Sequence, residues 1–316
     1  MPEPARELLS RTEFTRGRHN GRVSIVFPGV AEFRVPISES GSLMVDFWPE
    51  RTWLTIIEPT RRSADFYDVD IVTGEKSPIV RINSIDIPVD EELVATRDRT
   101  GSNLIVAGSR VGVIRVDTSS GAIQRIVAAP SGDTDRRGER KFLYWSPSGE
   151  SLASPLCDEE TCSTEVIATD DWSYVTVAPF APTAITDQFV LGGATLDTQG
   201  WLLVDLATGE PTPVLFGHQE GWSARPTTEG RFIANGGVVN ELGERQQLFE
   251  LDPQTLESRP IYDASAEDGR SYMHPAWTSP DWVLLLGPET NQLIVVDANT
   301  GAVYDGTLHT TDQPEG

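Results

Sequence analysis

Along most of the chain, apolar and polar residues follow the pattern of short β-strands. Around Leu248 and Glu250, and again around Leu293 and Val295, side chains alternate in character, which is typical of strands that bury one face. Only residues 3–12 read as a helix. The pattern therefore predicts an all-β chain.

A turn marker recurs after these strands. Each copy is an apolar strand that ends in Asp; two further residues follow, and then Thr-Gly or an equivalent pair. An Asp side chain accepts hydrogen bonds from the free N–H groups of a tight turn, and Gly adopts the positive φ at which the chain reverses. The marker therefore predicts a β-hairpin at each copy, at intervals that average about 45 residues. The copies begin at Asp70, Asp117, Asp205, Asp252 and Asp297, with a degenerate copy, DDWS, at Asp170.

A Ser-Pro-type turn is a second marker in the same repeat. It reads WSPSG from Trp145, RPTTEG from Arg225 and AWTSPDW from Ala276, and each copy precedes a strand that leads to the next Asp turn. Each unit then contains four strands, and a four-stranded unit repeated at this interval is typical of a β-propeller blade. We therefore predict a single β-propeller of four-stranded antiparallel blades.

Two blade numbers fit the repeat. Gly29 lies 45 residues before Gly74, between two apolar segments, and indicates a further hairpin. Seven blades are favoured: residues 22–37 would supply the outer strands of one blade and residues 307–311 its inner strand, so that N- and C-terminal strands close the ring. The alternative is a six-blade ring with the N-terminal hairpin packed outside. The predicted bounds are 1–21 for an N-terminal extension, 22–311 for the propeller and 312–316 for a C-terminal tail.

The repeats resemble those of TolB-like and WD-repeat-like β-propellers, whose blades carry an aromatic residue, then Ser-Pro-Asp-Gly, then an apolar strand. WSPSG at 145–149 and WTSPD at 277–281 match this pattern best, and the resemblance spans about residues 22–308. It implies the propeller fold. Such propellers serve as scaffolds, receptors, periplasmic factors and accessory domains of enzymes, so the resemblance implies no single function.

The charge of the chain disfavours two classes of partner. The sequence has 48 acidic against 25 basic residues, a net charge of −23, and this field repels the phosphates of nucleic acids. An anionic membrane surface is disfavoured for the same reason. No apolar run is long enough to span a bilayer as a helix, so we predict no membrane-spanning segment.

The two cysteines, Cys157 and Cys162, enclose the four residues DEET. If the flanking segments form a hairpin, the two side chains lie opposite each other, within reach of a disulfide. A C-x4-C pair without further ligands makes a poor zinc site, so the disulfide is favoured. A disulfide favours an extracytoplasmic or secreted location. Because the N-terminus lacks the apolar core of a signal peptide, a cytoplasmic location is the alternative.

Familiar catalytic motifs are absent from the sequence: it contains no G-x-S-x-G, P-loop, G-x-G-x-x-G or H-E-x-x-H. In the blade arrangement His218 lies in the loop before one inner strand and His274 lies on the next inner strand, with Glu220, Trp222 and Tyr272 nearby. These five residues are the candidate binding site, at the mouth of the central channel. The simpler interpretation, which we favour, is that His274 hydrogen-bonds a neighbouring blade, because two histidines without a third ligand make a weak metal site.

Four tryptophans, Trp48, Trp145, Trp222 and Trp277, recur at the same point in their repeats. An aromatic-lined ligand surface and packing between blades both account for such residues. Periodic recurrence favours packing between blades.

These patterns favour a non-catalytic β-propeller that binds a protein or small-molecule ligand across one face, because loops of equivalent position form one broad surface. No cofactor, bound metal or catalytic residue is predicted. The alternative is a propeller enzyme, a lyase or hydrolase, in which His218, His274 and an acid hold a metal at the channel mouth. A structural module of a larger assembly is a third class.

Overall fold

The protein, seen in a computed structural model, consists of consecutive antiparallel β-sheets. Within the described residues six sheets have four strands and one has three. A helix long and apolar enough to cross a membrane is not found in this part of the chain. The structure describes residues 13–14, 22–27, 31–36, 43–44, 53–59, 63–70, 76–83, 93–129, 140, 143–157, 162–177, 181–193, 201–214, 221–227, 229–240, 243–264, 274–278, 282–286, 292–297 and 300–307.

The first four sheets are numbered I to IV in chain order. Sheet I contains β1 (Glu13–Phe14), β2 (Arg22–Phe27) and β3 (Ala31–Pro36). Sheet II contains β4 (Leu43–Met44), β5 (Trp53–Pro59), β6 (Ser63–Asp70) and β7 (Lys76–Asn83). Sheet III contains β8 (Val94–Arg97), β9 (Asn103–Gly108), β10 (Gly112–Asp117) and β11 (Ile123–Val127). Sheet IV contains β12 (Tyr144–Trp145), β13 (Ser151–Cys157), β14 (Cys162–Ala168) and β15 (Tyr174–Val177).

The remaining three sheets follow the same plan. Sheet V contains β16 (Ala181–Ile185), β17 (Phe189–Gly193), β18 (Trp201–Asp205) and β19 (Pro211–Val214). Sheet VI contains β20 (Gly221–Pro226), β21 (Phe232–Asn240), β22 (Gly243–Leu251) and β23 (Ser258–Ala264). Sheet VII contains β24 (His274–Thr278), β25 (Trp282–Leu286), β26 (Gln292–Asp297) and β27 (Val303–Thr307). In every sheet, strands that are neighbours in sequence are neighbours in space, as the repeat predicted.

The core consists of apolar layers between successive sheets. On β9, Leu104 and Val106 face sheet II, whereas Ile105 and Ala107 face sheet IV. Both faces of this strand are buried, which explains its unbroken apolar sequence. Similar layers join sheets IV and V, V and VI, and VI and VII. Sheets II to VII therefore stack in chain order, each buried against the next.

The predicted Asp turns connect the third and fourth strands of their sheets. β6, β10, β18 and β26 each end at the marker Asp, and β22 ends one residue before Asp252. The Gly of the marker has positive φ in three of them: 70° at Gly121, 73° at Gly209 and 71° at Gly301. The hairpins predicted at these markers are therefore confirmed.

The degenerate copy in sheet IV begins at Ala168, not at Asp170 as predicted. The Ala168 N–H donates to the Ser173 carbonyl (2.9 Å), as the Asp117 N–H donates to the Ala122 carbonyl (2.9 Å) in sheet III. Trp172 then takes the place of the marker Gly, with φ of 61°. The prediction was wrong because the acidic residue that looks like the marker lies inside the turn.

The Ser-Pro-type turns connect the first and second strands. The Ser146 N–H donates to the Ser151 carbonyl (2.9 Å), and the Thr227 N–H donates to the Arg231 carbonyl (2.8 Å). WSPSG and the TTEG part of RPTTEG are therefore equivalent turns, as the sequence indicated.

The tryptophans do not all lie at the same point of their sheets. Trp145 ends β12, directly before its turn, whereas Trp222 is near the beginning of β20. Trp145 packs between sheets III and IV, and its Nε1–H donates to Thr96 Oγ1 (2.6 Å). Packing between blades is therefore confirmed for Trp145, but the predicted common position is wrong for Trp222.

Sheet I contains one more strand than the predicted outer strands at 22–37, because β1 pairs with β2. β1 lies inside the predicted N-terminal extension, 1–21. Thr307, the first residue of the predicted closing strand, is the last residue of β27. Residues 308–311 and the predicted helix at 3–12 lie outside the described residues.

Candidate functional site

The two ends of the sheets differ in their connections. In the four-stranded sheets II to VII the first strands begin at one end, here called the loop end, which also carries the connections between second and third strands. The opposite end, the turn end, carries the Ser-Pro-type and Asp turns. Connections at the loop end vary in length, from residues 241–242 between β21 and β22 to residues 128–143 between β11 and β12. Variable loops on a regular scaffold are where binding residues concentrate.

Of the predicted site residues, Trp222 and His274 lie at the loop end of sheets VI and VII. Trp222 is the second residue of β20, where the register with β21 shifts between Gly221 and Ser223, so Trp222 is the unpaired residue of a bulge. His274 is the first residue of β24, and β24 contacts β20. The fold therefore places these two positions on adjacent strands, and bulges commonly redirect a side chain next to a site.

The other three predicted residues, His218, Glu220 and Tyr272, lie outside the described residues. Among the residues that are described, no three His, Cys, Asp or Glu side chains form a group that could hold a metal ion. The site around His218 and His274 stays a prediction.

The predicted disulfide between Cys157 and Cys162 is present. Cys157 ends β13 and Cys162 begins β14, and the two residues are direct partners across the hairpin, with their Cα atoms 4.1 Å apart. The bridge closes the hairpin at the loop end of sheet IV, on the same end as the predicted binding residues.

The first strands of successive sheets form an inner wall. β12 contacts β16, β16 contacts β20, and β20 contacts β24. In a propeller the innermost strands surround the central channel. Side chains near these strands are therefore the ones that a ligand in the channel would meet.

Tyr144 and Arg225 are two half-buried polar residues on this wall, and sequence reasoning missed them as a pair. Tyr144 begins β12 and Arg225 lies near the end of β20, with β16 between the two strands. Burial raises the pKa of Tyr144, and the charge of Arg225 opposes this rise. Burial also lowers the pKa of Arg225, yet a guanidinium remains charged at neutral pH. Tyr144 packs against the apolar layer between sheets IV and V.

A signal for this pair was present in the sequence. Tyr144 stands two residues before Ser146, and Arg225 stands two residues before Thr227, the residues whose N–H groups close equivalent turns. Alignment by letters had placed Arg225 opposite Trp145. Alignment by the turn's hydrogen bonds places it opposite Tyr144.

Two other arginines of the described residues, Arg140 and Arg97, have carboxylate partners. Arg140, whose side chain is 1% exposed, donates from Nη1 to Glu165 Oε2 at 2.6 Å. Arg97 forms an ion pair with Asp68. Arg225 differs: its hydrogen bond runs from Nη1 to the Ala224 carbonyl (3.1 Å), and none of the described carboxylates forms an ion pair with it.

Comparison with known proteins rests on solved structures, because no protein-family description and no curated protein matches the sequence. An oligogalacturonate lyase in complex with manganese is similar over 97% of this chain and 87% of its own, with a TM-score of 0.61 and 10% identity. The β-propeller domain of Cps50 (Swd1) from Myceliophteria thermophila is similar over 88% of this chain and 89% of its own, with a TM-score of 0.56 and 15% identity.

The tricorn protease is similar over 95% of this chain but only 35% of its own, with a TM-score of 0.55 and 11% identity. This chain therefore spans about a third of that protease. At such identities the likeness concerns the fold alone, and it does not distinguish between TolB-like and WD-repeat-like units. Together with the stack of four-stranded antiparallel sheets, it shows that this chain has the β-propeller fold.

Proposed function

We propose that this protein is a non-catalytic β-propeller that binds a protein or small-molecule ligand at its loop end. The observation that carries the proposal is the contrast between the two ends of the sheets. Connections at the turn end of sheets II to VII range from residues 186–188 to residues 45–52, whereas those at the loop end range from residues 241–242 to residues 128–143. A repeat fold whose connections vary more on one side is typical of proteins that bind through that side.

Within the loop end, the proposed binding residues are His218, Glu220, Trp222, Tyr272 and His274. Trp222 and His274 support this choice because they occupy adjacent first strands near the channel mouth. Large aromatic side chains at the centre of an interface commonly contribute most of the binding energy.

Cross-linking in an extract of the source organism, followed by affinity isolation, tests the proposal. We expect a partner that the unmodified protein captures and that a Trp222→Ala, His274→Ala double variant loses at least tenfold. The matched control is Ser120→Ala with Thr208→Ala, two exposed residues in turns of the turn end. Equal loss in the control, or no partner together with turnover of a small molecule, would contradict the proposal.

The alternative is a propeller lyase or hydrolase with a metal held by His218, His274 and an acid. The observation in its favour is the similarity to a lyase that was solved in complex with manganese. Metal analysis of protein purified without chelator discriminates between the two functions. One manganese ion per chain that a His274→Ala variant loses would replace the binding proposal by the enzymatic one.

For the architecture we propose seven blades within residues 22–311, extended by β1. Sheet I has three strands where the other sheets have four, and residues 308–311 follow β27 directly. A strand from these residues would complete sheet I and remove an open edge. Truncation after Thr307 should then lower the melting temperature by several degrees. An unchanged melting temperature would favour the six-blade arrangement.

For the location we propose an extracytoplasmic compartment, supported by the Cys157–Cys162 disulfide. Thiol titration of unfolded, unreduced protein from its native compartment should find no free thiol. The same protein after reduction is the control and should give two. Two free thiols before reduction would contradict the proposed location.

A further inference from the structure

We propose that the open edge of β15 binds an extended basic segment of a partner protein, which joins sheet IV as a fifth strand and places a Lys or Arg beside Asp170 and Asp171. β15 is the last strand of its sheet, and the last strands of the blades form the outer rim of a propeller. The inference goes beyond the binding proposed at the loop end, because a segment could occupy the rim with or without a ligand there.

The first argument is the sequence of β15 compared with the other fourth strands. An exposed edge strand pairs with further strands unless Pro or a charged residue interrupts it. The four residues of β15, YVTV, include neither. Of the six four-stranded sheets, sheet IV therefore has the edge that another strand can join most easily. Every other fourth strand contains at least one protecting residue: Pro78 in β7, Arg125 in β11, Pro211 in β19, Pro260 in β23 and Asp305 in β27.

The second argument is the exposure of this edge. Tyr174 and Val175 are 44% and 54% exposed, and none of the described strands pairs with β15 on the side opposite β14. Val177 packs against the apolar layer between sheets IV and V, so the end of the strand is held in place. An added strand would bury part of the exposed apolar surface through side-chain pairs across the two strands.

The third argument is the direction of the backbone groups. The Ala168 N–H donates to the Ser173 carbonyl (2.9 Å), which makes these two residues a hydrogen-bonded pair. Hydrogen-bonded and non-hydrogen-bonded pairs alternate along an antiparallel ladder. In the register of β14 and β15, Tyr174 and Thr176 therefore occupy non-hydrogen-bonded positions. Their N–H and C=O groups point away from β14 and offer two donors and two acceptors to an added strand.

The fourth argument is the charge at the beginning of β15. Asp170 and Asp171 are exposed, and the hydrogen bond from the Ser173 N–H (2.8 Å) lowers the pKa of Asp171, so this carboxylate is ionised at neutral pH. Arg115 reaches sheet IV from sheet III, but its guanidinium lies over the Trp172 ring, 4.8 Å from the centroid. The C-terminal end of an antiparallel incoming strand would lie beside the two carboxylates. A Lys or Arg at that end would complement them.

A second copy of this chain fits the edge less well than a basic segment. In an antiparallel pair of two copies, the residues that follow β15 would lie beside the two carboxylates. These residues, 178–180, read APF and contain no cation. Each copy also carries a net charge of −23, which opposes the contact between two copies. The segment that the edge suits therefore belongs to a different, basic protein.

Fluorescence anisotropy with labelled peptides at constant ionic strength tests the edge. The probe is a peptide of alternating threonine and valine that ends in two arginines, and the comparison peptide ends in two glutamates instead. We expect saturable binding of the arginine peptide, about tenfold or more tighter than binding of the glutamate peptide. A double variant, Asp170→Asn with Asp171→Asn, should lose most of this preference.

Two variants separate strand pairing from the general attraction of a basic peptide to an acidic protein. Thr176→Pro removes an outward N–H and leaves the hydrogen bonds to β14 in place. Val175→Lys adds the kind of charge that protects other fourth strands. Each should weaken binding of the arginine peptide about tenfold or more. The matched control is Ile123→Lys, because Ile123 is apolar, 41% exposed and on a fourth strand that already contains Arg125. The control should bind like the unmodified protein.

Melting curves check that the variants are folded, and Val175→Lys should melt close to the unmodified protein because more than half of Val175 is exposed. Absence of saturable binding, equal binding by folded Val175→Lys, or equal binding of the glutamate peptide would overturn the inference. Sedimentation of the protein alone examines the other occupant. A dimer that Val175→Lys dissociates would overturn the partner segment in favour of a second copy.

Discussion

The Asp turn of sheet III and the corresponding turn of sheet IV have the same backbone hydrogen bond but different sequences. In sheet III, Asp117 and Gly121 occupy the two marker positions, and Asp117 Oδ1 accepts from the N–H groups of Ser119 (3.0 Å) and Ser120 (2.8 Å). In sheet IV, Ala168 and Trp172 occupy them.

Trp172 is held by contacts outside its own turn. Its ring packs against the apolar layer between sheets III and IV, and the guanidinium of Arg115 lies 4.8 Å from the ring centroid. Arg115 is itself fixed by a hydrogen bond from Nε to Asn103 Oδ1 (2.6 Å). A bulky residue at positive φ is normally strained. The comparison teaches that turn geometry is set by the position in the sheet, and that local sequence or a neighbouring sheet can stabilise it.

The largest effect should come from a glycine that needs both a positive φ and empty space. In Gly112→Ala the new Cβ would lie 2.7 Å from the Ala129 nitrogen, in addition to the strain at φ of 79°. We expect the free energy of unfolding to fall by at least about 3 kcal/mol. Gly209→Ala is the control, because φ is 73° but no atom lies within 4 Å of the new Cβ. Gly209→Ala should lose about 1 kcal/mol of unfolding free energy, measured by urea unfolding. Equal losses in the two variants would show that the space around the new Cβ does not matter.

Trp172→Ala should have the next largest effect. It removes the ring from the layer between sheets and the contact with Arg115, but it keeps a side chain at positive φ. We expect a loss of about 3 kcal/mol in the free energy of unfolding. Leu256→Ala is the matched control, since Leu256 has the same φ of 61° but is 44% exposed. A loss for Trp172→Ala no larger than that of the control would show that the neighbouring sheet does not hold the turn.

Substitution by glycine should change the free energy of unfolding in opposite directions at Leu256 and at Trp172. Leu256→Gly relieves the backbone strain and removes little burial, so it should raise the free energy of unfolding by about 0.5 kcal/mol. Trp172→Gly relieves the same strain but loses the packing, so it should be destabilising. Urea unfolding of both variants measures the difference. Destabilisation in both would mean that strain at positive φ contributes little here.

The smallest expected effect is the loss of the Asp117 contribution to stability at low pH. The pKa of Asp117 is lowered below its usual 3.8, first by the Ser119 hydroxyl and then by Ser120. A carboxyl whose pKa is lowered on folding stabilises above its unfolded pKa and loses that contribution as pH falls towards the folded value. The stability gap between the unmodified protein and Asp117→Asn should therefore be constant near neutral pH and shrink below about pH 4. Thermal unfolding of both proteins across this pH range measures the stability gap. A gap that does not shrink in acid would contradict a lowered pKa of Asp117.

Most of the fold could be predicted because its signals are local. The marker at Asp205 contains both the Asp side chain that accepts a hydrogen bond from the turn and the Gly whose positive φ reverses the chain. The hairpin can therefore be predicted from a few consecutive residues. The turn between β16 and β17 was not recognised because Thr186 replaces the usual Ser-Pro start. There Thr186 Oγ1 accepts from the Phe189 N–H at 3.0 Å.

Some features of the candidate sites could likewise be predicted from the repeat, whereas others could not. The neighbouring positions of Trp222 and His274 follow from the repeat, since both lie at the beginning of the first strand of adjacent units. The equivalence of Tyr144 and Arg225 was missed because alignment by letters placed Arg225 opposite Trp145, whereas the hydrogen bonds of the turns place it opposite Tyr144. The Arg115–Trp172 contact was missed because it joins two neighbouring sheets, III and IV, and is not written in the local sequence of either turn.

The stacking of sheets in chain order has a consequence for synthesis on the ribosome. A newly emerged sheet has one apolar face covered by the sheet before it, and the other face waits for the next unit, about 45 residues later. At about 5–20 residues per second the wait is roughly two to nine seconds. The nascent chain thus presents the apolar face of its newest sheet to chaperones, and this face moves with the growing end of the chain.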